Sequence, residues 1–175
     1  MSIFENKEQK FTSISNLGEF GLIDQITEDI KHYHKTTIKG VGDDAAVIKL
    51  GDLCQVISTD MLIEGVHFDL AYAPLKHLGY KAVVVNLSDI CAMNVIPTQI
   101  TVSIALSNRF PVEAVEELYA GVKLACKHYK IDLIGGDTTS STSGLMISVT
   151  AMGASKQEHI VYRCLLYTSP SPRDR

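Results

Sequence analysis

Gly42-Asp43-Asp44-Ala45-Ala46-Val47-Ile48-Lys49-Leu50-Gly51-Asp52-Leu53-Cys54-Gln55-Val56-Ile57-Ser58-Thr59-Asp60 is the stretch that decides how this chain folds. Ala45 to Leu50 and Gln55 to Thr59 are short apolar runs rich in β-branched residues, with Gly51-Asp52 between them, a pattern that predicts two strands joined by a hairpin or tight connection. The flanking residues Gly40-Val41-Gly42-Asp43-Asp44-Ala45 superficially fit a G-x-G-x-x-A dinucleotide fingerprint, with Asp60 downstream as a candidate ribose ligand. A dinucleotide loop, however, opens a helix whose N-terminus faces pyrophosphate; here a strand follows, and two adjacent carboxylates would repel the phosphates. No G-x-x-x-x-G-K-[ST] phosphate loop occurs elsewhere. Any nucleotide must be held another way.

Outward from this stretch, Glu19 to His32 places Leu22, Ile23, Ile26 and Ile30 at helical spacing, which predicts an amphipathic helix. Pro74 suits the first turn of a long helix from Leu75 to Met93, with Asp89 near its end. Thr98 to Leu106 alternates as a strand, Pro111 opens a helix through His128, and Ile131 to Ile134 runs as a short strand into Gly135-Gly136. A last strand covers Leu145 to Gly153. Helix, two strands, helix, strand, helix and strands make an α+β domain whose sheet is covered by helices on one face.

The chain's 175 residues, 46% hydrophobic and 21% charged, suit a single domain with a real core. A net charge of -4 argues against a nucleic-acid binder. The valine-rich runs are too short to span a membrane, and Met1 to Lys10 lacks a signal-peptide pattern, so a cytoplasmic location is expected. Cys54, Cys91, Cys126 and Cys164 show no C-x-x-C pairing and sit in or beside apolar segments, which predicts buried thiols rather than a zinc site or disulfides. From Cys164 to Arg175 the sequence follows no periodicity and resembles a translated sequencing-library adapter. The expected natural domain is therefore 1–163, with 164–175 a non-native tail.

Four motifs end in or contain an aspartate beside small or hydroxyl residues: Gly42 to Ala46, Ser58-Thr59-Asp60, Asn86-Leu87-Ser88-Asp89 and Gly135-Gly136-Asp137-Thr138-Thr139. Carboxylates and hydroxyls are the hard oxygen ligands magnesium prefers, and Mg-nucleotide sites leave the remaining positions to water and phosphate. Asp44, Asp60, Asp89 and Asp137 could converge so that cations neutralise a triphosphate which the carboxylates alone would repel. Any one of them reads equally well as a cap or turn residue; four together weigh toward metal. Ser58-Thr59-Asp60, read as the end of a strand, offers two hydroxyls and a carboxylate to ligate one ion and orient a second. Gly135-Gly136 permits close backbone approach to phosphate. His67 could donate to an anion or be a loop histidine, and the spacing of Tyr119 with Val115 and Val122 favours a core role over stacking under a base.

With these motifs in place, the chain resembles the thiamine-monophosphate kinases of the aminoimidazole ribonucleotide synthetase-like superfamily. The resemblance rests on Gly18-Glu19-Phe20 with Leu22-Ile23, Val41 to Ala46, Ile57 to Asp60 continuing through Glu64-Gly65-Val66-His67-Phe68, Lys81-Ala82 with Val85 to Asp89, and Leu133 to Thr139. It implies several magnesium ions on Asp44, Ser58, Thr59, Asp60, Asp89 and Asp137, ATP contacts from Gly136, Asp137, Tyr119 and Arg163, and a contact of His67 with thiamine phosphate. It also implies a mixed or antiparallel sheet that dimerises through the sheet, a C-terminal domain carrying further contacts, and phosphoryl transfer from ATP to thiamine monophosphate without a catalytic base. The alternatives are another ATP-dependent enzyme of the superfamily, against which the lack of a cysteine before Cys54 weighs only for the selenophosphate synthetases, or a noncatalytic nucleotide-binding or dimerisation module.

Overall fold

The computed structural model describes residues 13–163, and the chain divides into two compact units, Met1–Tyr33 and His34–Arg175. The described part of the first holds a 3-10 turn at Ile14–Asn16 and helix α1 at Gly18–Thr27. This helix is shorter than the expected Glu19–His32. The Thr27 hydroxyl donates to the Ile23 carbonyl at 2.7 Å, and the Ile30 N–H closes a turn onto the Thr27 carbonyl at 3.1 Å. A threonine that bonds back to the backbone competes with further helix, so Ile30 falls outside the stripe its spacing suggested.

The second unit is built on a six-stranded sheet with β1 at Thr37–Lys39, β2 at Ala46–Leu50, β3 at Leu53–Ile63, β4 at Pro97–Leu106, β5 at Asp132–Ser140 and β6 at Leu145–Ser155. Spatial order is β1-β2-β3-β6-β4-β5, antiparallel throughout except for the parallel pair β4 and β5. Helix α2, Leu75–Ala92, connects β3 to β4, and helix α3, Val112–Tyr129, makes the long crossover that a parallel pair requires. The mixed α+β architecture expected from the order of elements is the one observed.

The hairpin at the centre of the sequence argument is present: Leu50 pairs with Leu53, and Gly51 takes a positive φ of 62° in the two-residue turn. Burial then alternates along the long strands. Cys54, Val56, Ser58 and Leu62 of β3, Ile100, Val102 and Ile104 of β4, and Leu145, Ile147, Val149 and Ala151 of β6 face inward. A period of two is the mark of a sheet with one covered face. The cover is α2, through Leu78, Ala82, Val83, Leu87 and Ile90, with α3 contributing Leu118, Val122 and Ala125. Each leucine, isoleucine or valine among them contributes about 1.5–3 kcal/mol by leaving water, and each alanine less.

The two helices meet backbone to backbone. A Cβ at Gly79 would lie 2.0 Å from the Leu118 carbonyl oxygen, and one at Gly121 would lie 1.9 Å from that of Lys76. No larger residue fits at either position without separating α2 from α3. This close crossing fixes where α2 lies over the sheet, and with it the positions of Asn86 and Asp89.

Three differences from the sequence reading bear on the site. Strand β1, only three residues long, is too short to show a period and was not expected. Strand β3 continues to Ile63, so Ser58-Thr59-Asp60 lies within a strand and does not end one. Strand β5 continues through Gly135-Gly136-Asp137 to Ser140, because pairing with β4 from Gln99 opposite Asp132 to Leu106 opposite Ser140 carries weak strand formers along. Of the thiols, Cys54 is buried and Cys126 partly so, but Cys91 is exposed, since it sits on the outer side of the last turn of α2; Cys164 lies outside the described residues. Among the described residues no helix is long and apolar enough to cross a membrane.

Candidate functional site

Strand β2 pairs with β3 only as far as Ala46 opposite Ile57. Beyond that point the turn at residues 40–45 leaves β3, and the flank of β3 is met by α2. The N–H of Asp60 donates to Oδ1 of Asn86 at 2.8 Å, and Nδ2 of Asn86 donates to the Ala82 carbonyl at 3.0 Å. Asn86 is buried, and both ends of its amide are satisfied. Three residues further along the same helix, Oδ2 of Asp89 accepts the Ser58 hydroxyl at 2.8 Å. Two residues of α2 at i and i+3 share a face and so can clamp two alternate residues of a strand.

Asp44 joins this group from the turn before β2. Burial raises the pKa of the Asp89 carboxyl, the charges of Asp60 and Asp44 raise it further, and the Ser58 hydrogen bond and Arg163 oppose the rise. The charge of Asp89 is therefore repelled by both Asp60 and Asp44. Arg163 is the cation at this place: its guanidinium pairs with Oδ1 of Asp44. Among the described residues no three His, Cys, Asp or Glu side chains are gathered closely enough to enclose a metal ion. Asp44, Asp60, Asp89 and Ser58 thus form an open face of hard oxygen donors with excess negative charge. That chemistry fits a magnesium ion that keeps water or phosphate as most of its ligands.

Thr59 is placed differently from its neighbours. Successive strand residues face opposite sides, so its hydroxyl lies across the sheet from Ser58 and Asp60, where it donates to the Val149 carbonyl at 3.2 Å and accepts from Thr150 at 3.1 Å. Both hydroxyls of the Ser-Thr-Asp motif cannot serve one ion from the same face.

Asp137 also stands apart. Asp60 pairs with Val149, Val149 with Val102, and Val102 with Gly136, so the glycine pair lies three strand spacings, about 14 Å, from Asp60. The four aspartates do not converge on one point. Instead Gly135, Gly136, Asp137 and Thr138 on the exposed edge strand β5 line a separate cavity of about 510 Å³ with Val102, Leu133, Ile134 and Tyr119. Tyr119 packs against the core, the role its spacing favoured, burial raises its hydroxyl pKa, and it also lines the cavity. A Cβ on Gly136 would come within 1.8 Å of the Val102 carbonyl oxygen, so the side of β5 beside β4 has no room for a side chain. Gly136, Asp137 and Tyr119 therefore form one group, and Arg163 belongs with the carboxylates.

His67 lies in a third place, the turn after β3. Its Nδ1 accepts the Ile63 N–H at 3.0 Å, which leaves Nε2 as the donor of the neutral ring. Nζ of Lys81 donates to the His67 carbonyl at 3.1 Å. Around them Phe68, Asp69, Tyr72, His77 and Leu78 line a cavity of about 390 Å³.

Sequence reasoning assigned no role to Asn86, Asp43 or Glu64. Asn86 had a legible signal, a lone amide on the apolar face of a helix three residues before Asp89. Glu64 had none: its carboxylate accepts the Leu145 N–H at 2.8 Å and pairs with Arg109, contacts that only the fold brings together.

The family model described as AIR synthase related protein, N-terminal domain, matches residues 42–155. The thiamine-monophosphate kinase of Bacillus subtilis is 37% identical over 150 residues, covering 85% of this chain and 46% of the relative. That of Aquifex aeolicus is 37% identical over 144 residues, covering 82% and 44%. The chain thus spans about half the length of the curated relatives it matches. A solved structure described as AaThiL complexed with AMPPCP and TMP superposes with a TM-score of 0.77 at 35% identity, covering 89% of this chain and 47% of that one. A complex of HypE and HypF, at 19% identity and a TM-score of 0.58 over 76% of this chain and 41% of that one, shares the fold alone.

Proposed function

The chain belongs to the AIR synthase related family through the N-terminal domain of that family, and from that premise we propose that it supplies the cation and nucleotide half of a thiamine-monophosphate kinase. The observation that carries this reading is the clamp of Asn86 and Asp89 on Asp60 and Ser58, which holds like charges together on an open face beside Asp44. Each like charge raises the cost of the next, and a bound cation would offset that cost. Resemblance to relatives named for this kinase, and to a structure that holds AMPPCP and TMP, directs the reading to ATP and thiamine monophosphate.

In the proposed reaction an oxygen of the acceptor phosphate forms a bond to the γ-phosphorus of ATP, the bond from that phosphorus to the β-γ bridging oxygen breaks, and ADP leaves with the electron pair. The acceptor is already ionised near neutral pH, so position and charge count for more than proton transfer, and no residue is needed as a base. Magnesium, when bound, would neutralise the polyphosphate. Asp44, Asp60, Asp89 and Ser58 would hold it, and Asp137 would hold a further ion nearer the nucleotide. Ser58 and Asn86 keep the carboxylate of Asp89 and the backbone of Asp60 in place. Gly136 and Tyr119 would border the nucleotide, and Nε2 of His67 would donate to the thiamine phosphate.

The same reading takes 1–163 as one domain and assigns the remaining contacts to a C-terminal domain beyond the sequence given. It also takes the uncovered face of the sheet, where Met61 is half exposed, as a homodimer surface, and the location as cytoplasmic. The test is an assay of ADP and thiamine diphosphate formation by a protein that carries this domain at the full length of its relatives. We expect turnover that requires magnesium and falls at least about 100-fold in Asp60→Asn, the loss expected when a transition-state charge contact is removed. Turnover near wild type in that variant would sink the metal assignment, and ATP binding without thiamine diphosphate formation would favour a noncatalytic nucleotide-binding module.

A further inference from the structure

One carboxylate oxygen ties together two backbone segments at the edge of the acidic face. Oδ1 of Asp43 accepts the N–H of Asp44 at 3.0 Å and the N–H of Arg163 at 3.1 Å. The second bond ties together residues 120 positions apart in sequence. Through it the backbone of Arg163 is anchored beside the turn at residues 40–45, and the Arg163 side chain pairs with Oδ1 of Asp44. The pair is partly exposed, at 49% for Arg163 and 23% for Asp44, so the guanidinium reaches solvent, while Asp44 needs another cation in its place if the guanidinium leaves.

We propose that Asp43 is a positioning residue that suspends Arg163 by its backbone over the carboxylate face, so that the guanidinium is the resident counter-cation of Asp44 and must be displaced when a divalent ion binds. The proposal rests on the cation reading above. It deepens that reading by giving Asp43 and Arg163 roles in the cation-free state. While the guanidinium holds Asp44, its charge offsets part of the repulsion at Asp89, and the face stays assembled. A divalent ion competes for the same oxygen. Because the anchor is the backbone N–H, the displaced side chain remains within reach of phosphate oxygens, which its fork of five donors suits. Arg163 thus passes from carboxylate to polyphosphate as the ion arrives.

The test uses Mn2+ alone as the probe, titrated into the 175-residue chain, with free ion followed by electron paramagnetic resonance. Removing a competing, partly exposed ion pair should tighten Mn2+ binding about two- to fivefold in Arg163→Met. Arg163→Lys should stay near wild type, and Asp44→Asn should weaken binding in either background. Equal or weaker binding by Arg163→Met, with Asp44→Asn still harmful, would overturn the counter-cation role and leave the cation site standing. Absence of any effect of Asp44→Asn would overturn both. For the anchor, Asp43→Ala should speed hydrogen exchange at the Arg163 amide, while Asp43→Asn, which keeps an acceptor oxygen, should restore slow exchange. Equal exchange in all three proteins would remove Asp43 from the proposal, and melting midpoints of each variant separate these outcomes from general loss of structure.

Discussion

The face formed by Asp44, Ser58, Asp60 and Asp89 and the strand Gly135 to Thr139 have similar composition, carboxylate with glycine or hydroxyl, yet they are built in opposite ways. The first is braced from a second element: α2 reaches across with Asn86 and Asp89, and each contact to β3 is a hydrogen bond of 2.8 Å. The second lies on an edge strand with every residue exposed and, among the described residues, β4 as its one strand neighbour. A braced face holds repelling charges in place before any ligand comes. An edge strand leaves its backbone open to whatever lies against it. Under the proposed function the braced face would take the first cation, and the edge strand would lie against the nucleotide.

The sharpest way to break this comparison is to remove the brace. Asn86→Leu keeps the volume but leaves the Asp60 N–H without a partner, and we expect a loss of about 1–3 kcal/mol in urea unfolding. Divalent affinity should fall about 10–100-fold with it, as when the support of a metal ligand is lost. Unchanged affinity would mean that Asp60 does not depend on α2. On the edge strand the corresponding change is Gly136→Ala, which must push β5 away from the Val102 carbonyl. We expect about 1–3 kcal/mol of destabilisation from that overpacking, with Mn2+ affinity of the braced face unaltered. Coupled loss of both would show that the two regions are one site.

Asp89→Asn sharpens the comparison from the other side. The folded carboxyl titrates above its unfolded value, so between those two values the folded state binds more protons, and this group's contribution to stability falls as pH rises through the folded pKa. The charge is a burden to the metal-free chain at neutral pH. The variant, whose amide oxygen can still accept from Ser58, should melt at the same or a slightly higher temperature at pH 7, lose the gain on acidification that this carboxyl provides, and bind Mn2+ poorly. A markedly lower melting temperature would show that the carboxylate is structural. The smallest effect is expected on the exposed strand, where Thr138→Ala should stay within about 0.5 kcal/mol of wild type in the same unfolding measurement.

Much of this was legible in the chain. The hairpin at Gly51-Asp52, both long helices and the strands β4 and β6 follow from periodicity and punctuation, and the strand after Asp44 excluded a dinucleotide loop. Legibility failed where pairing partners mattered. β5 runs through two glycines because β4 holds it, and β1 exists because β2 offers an edge. Thr59 turned away from Ser58 and Asp60 for a reason the sequence does contain: once β3 is known to run to Ile63, alternation alone places it on the opposite face.

By itself, then, the order of residues determined which segments are strand or helix and which aspartates stand beside small or hydroxyl residues, because those properties depend on neighbours a few positions away. Only the tertiary structure decided that Asp44 and Asp60 both act on the charge of Asp89 while the Gly135-Gly136-Asp137 strand lies three strand spacings, about 14 Å, from Asp60, that Asn86 and Ser58 hold the face together, and that Arg163 meets Asp43 across 120 residues. The spacing between distant segments is set by the order of strands in the sheet and by the close crossing of α2 and α3 at Gly79 and Gly121, and no local pattern encodes either.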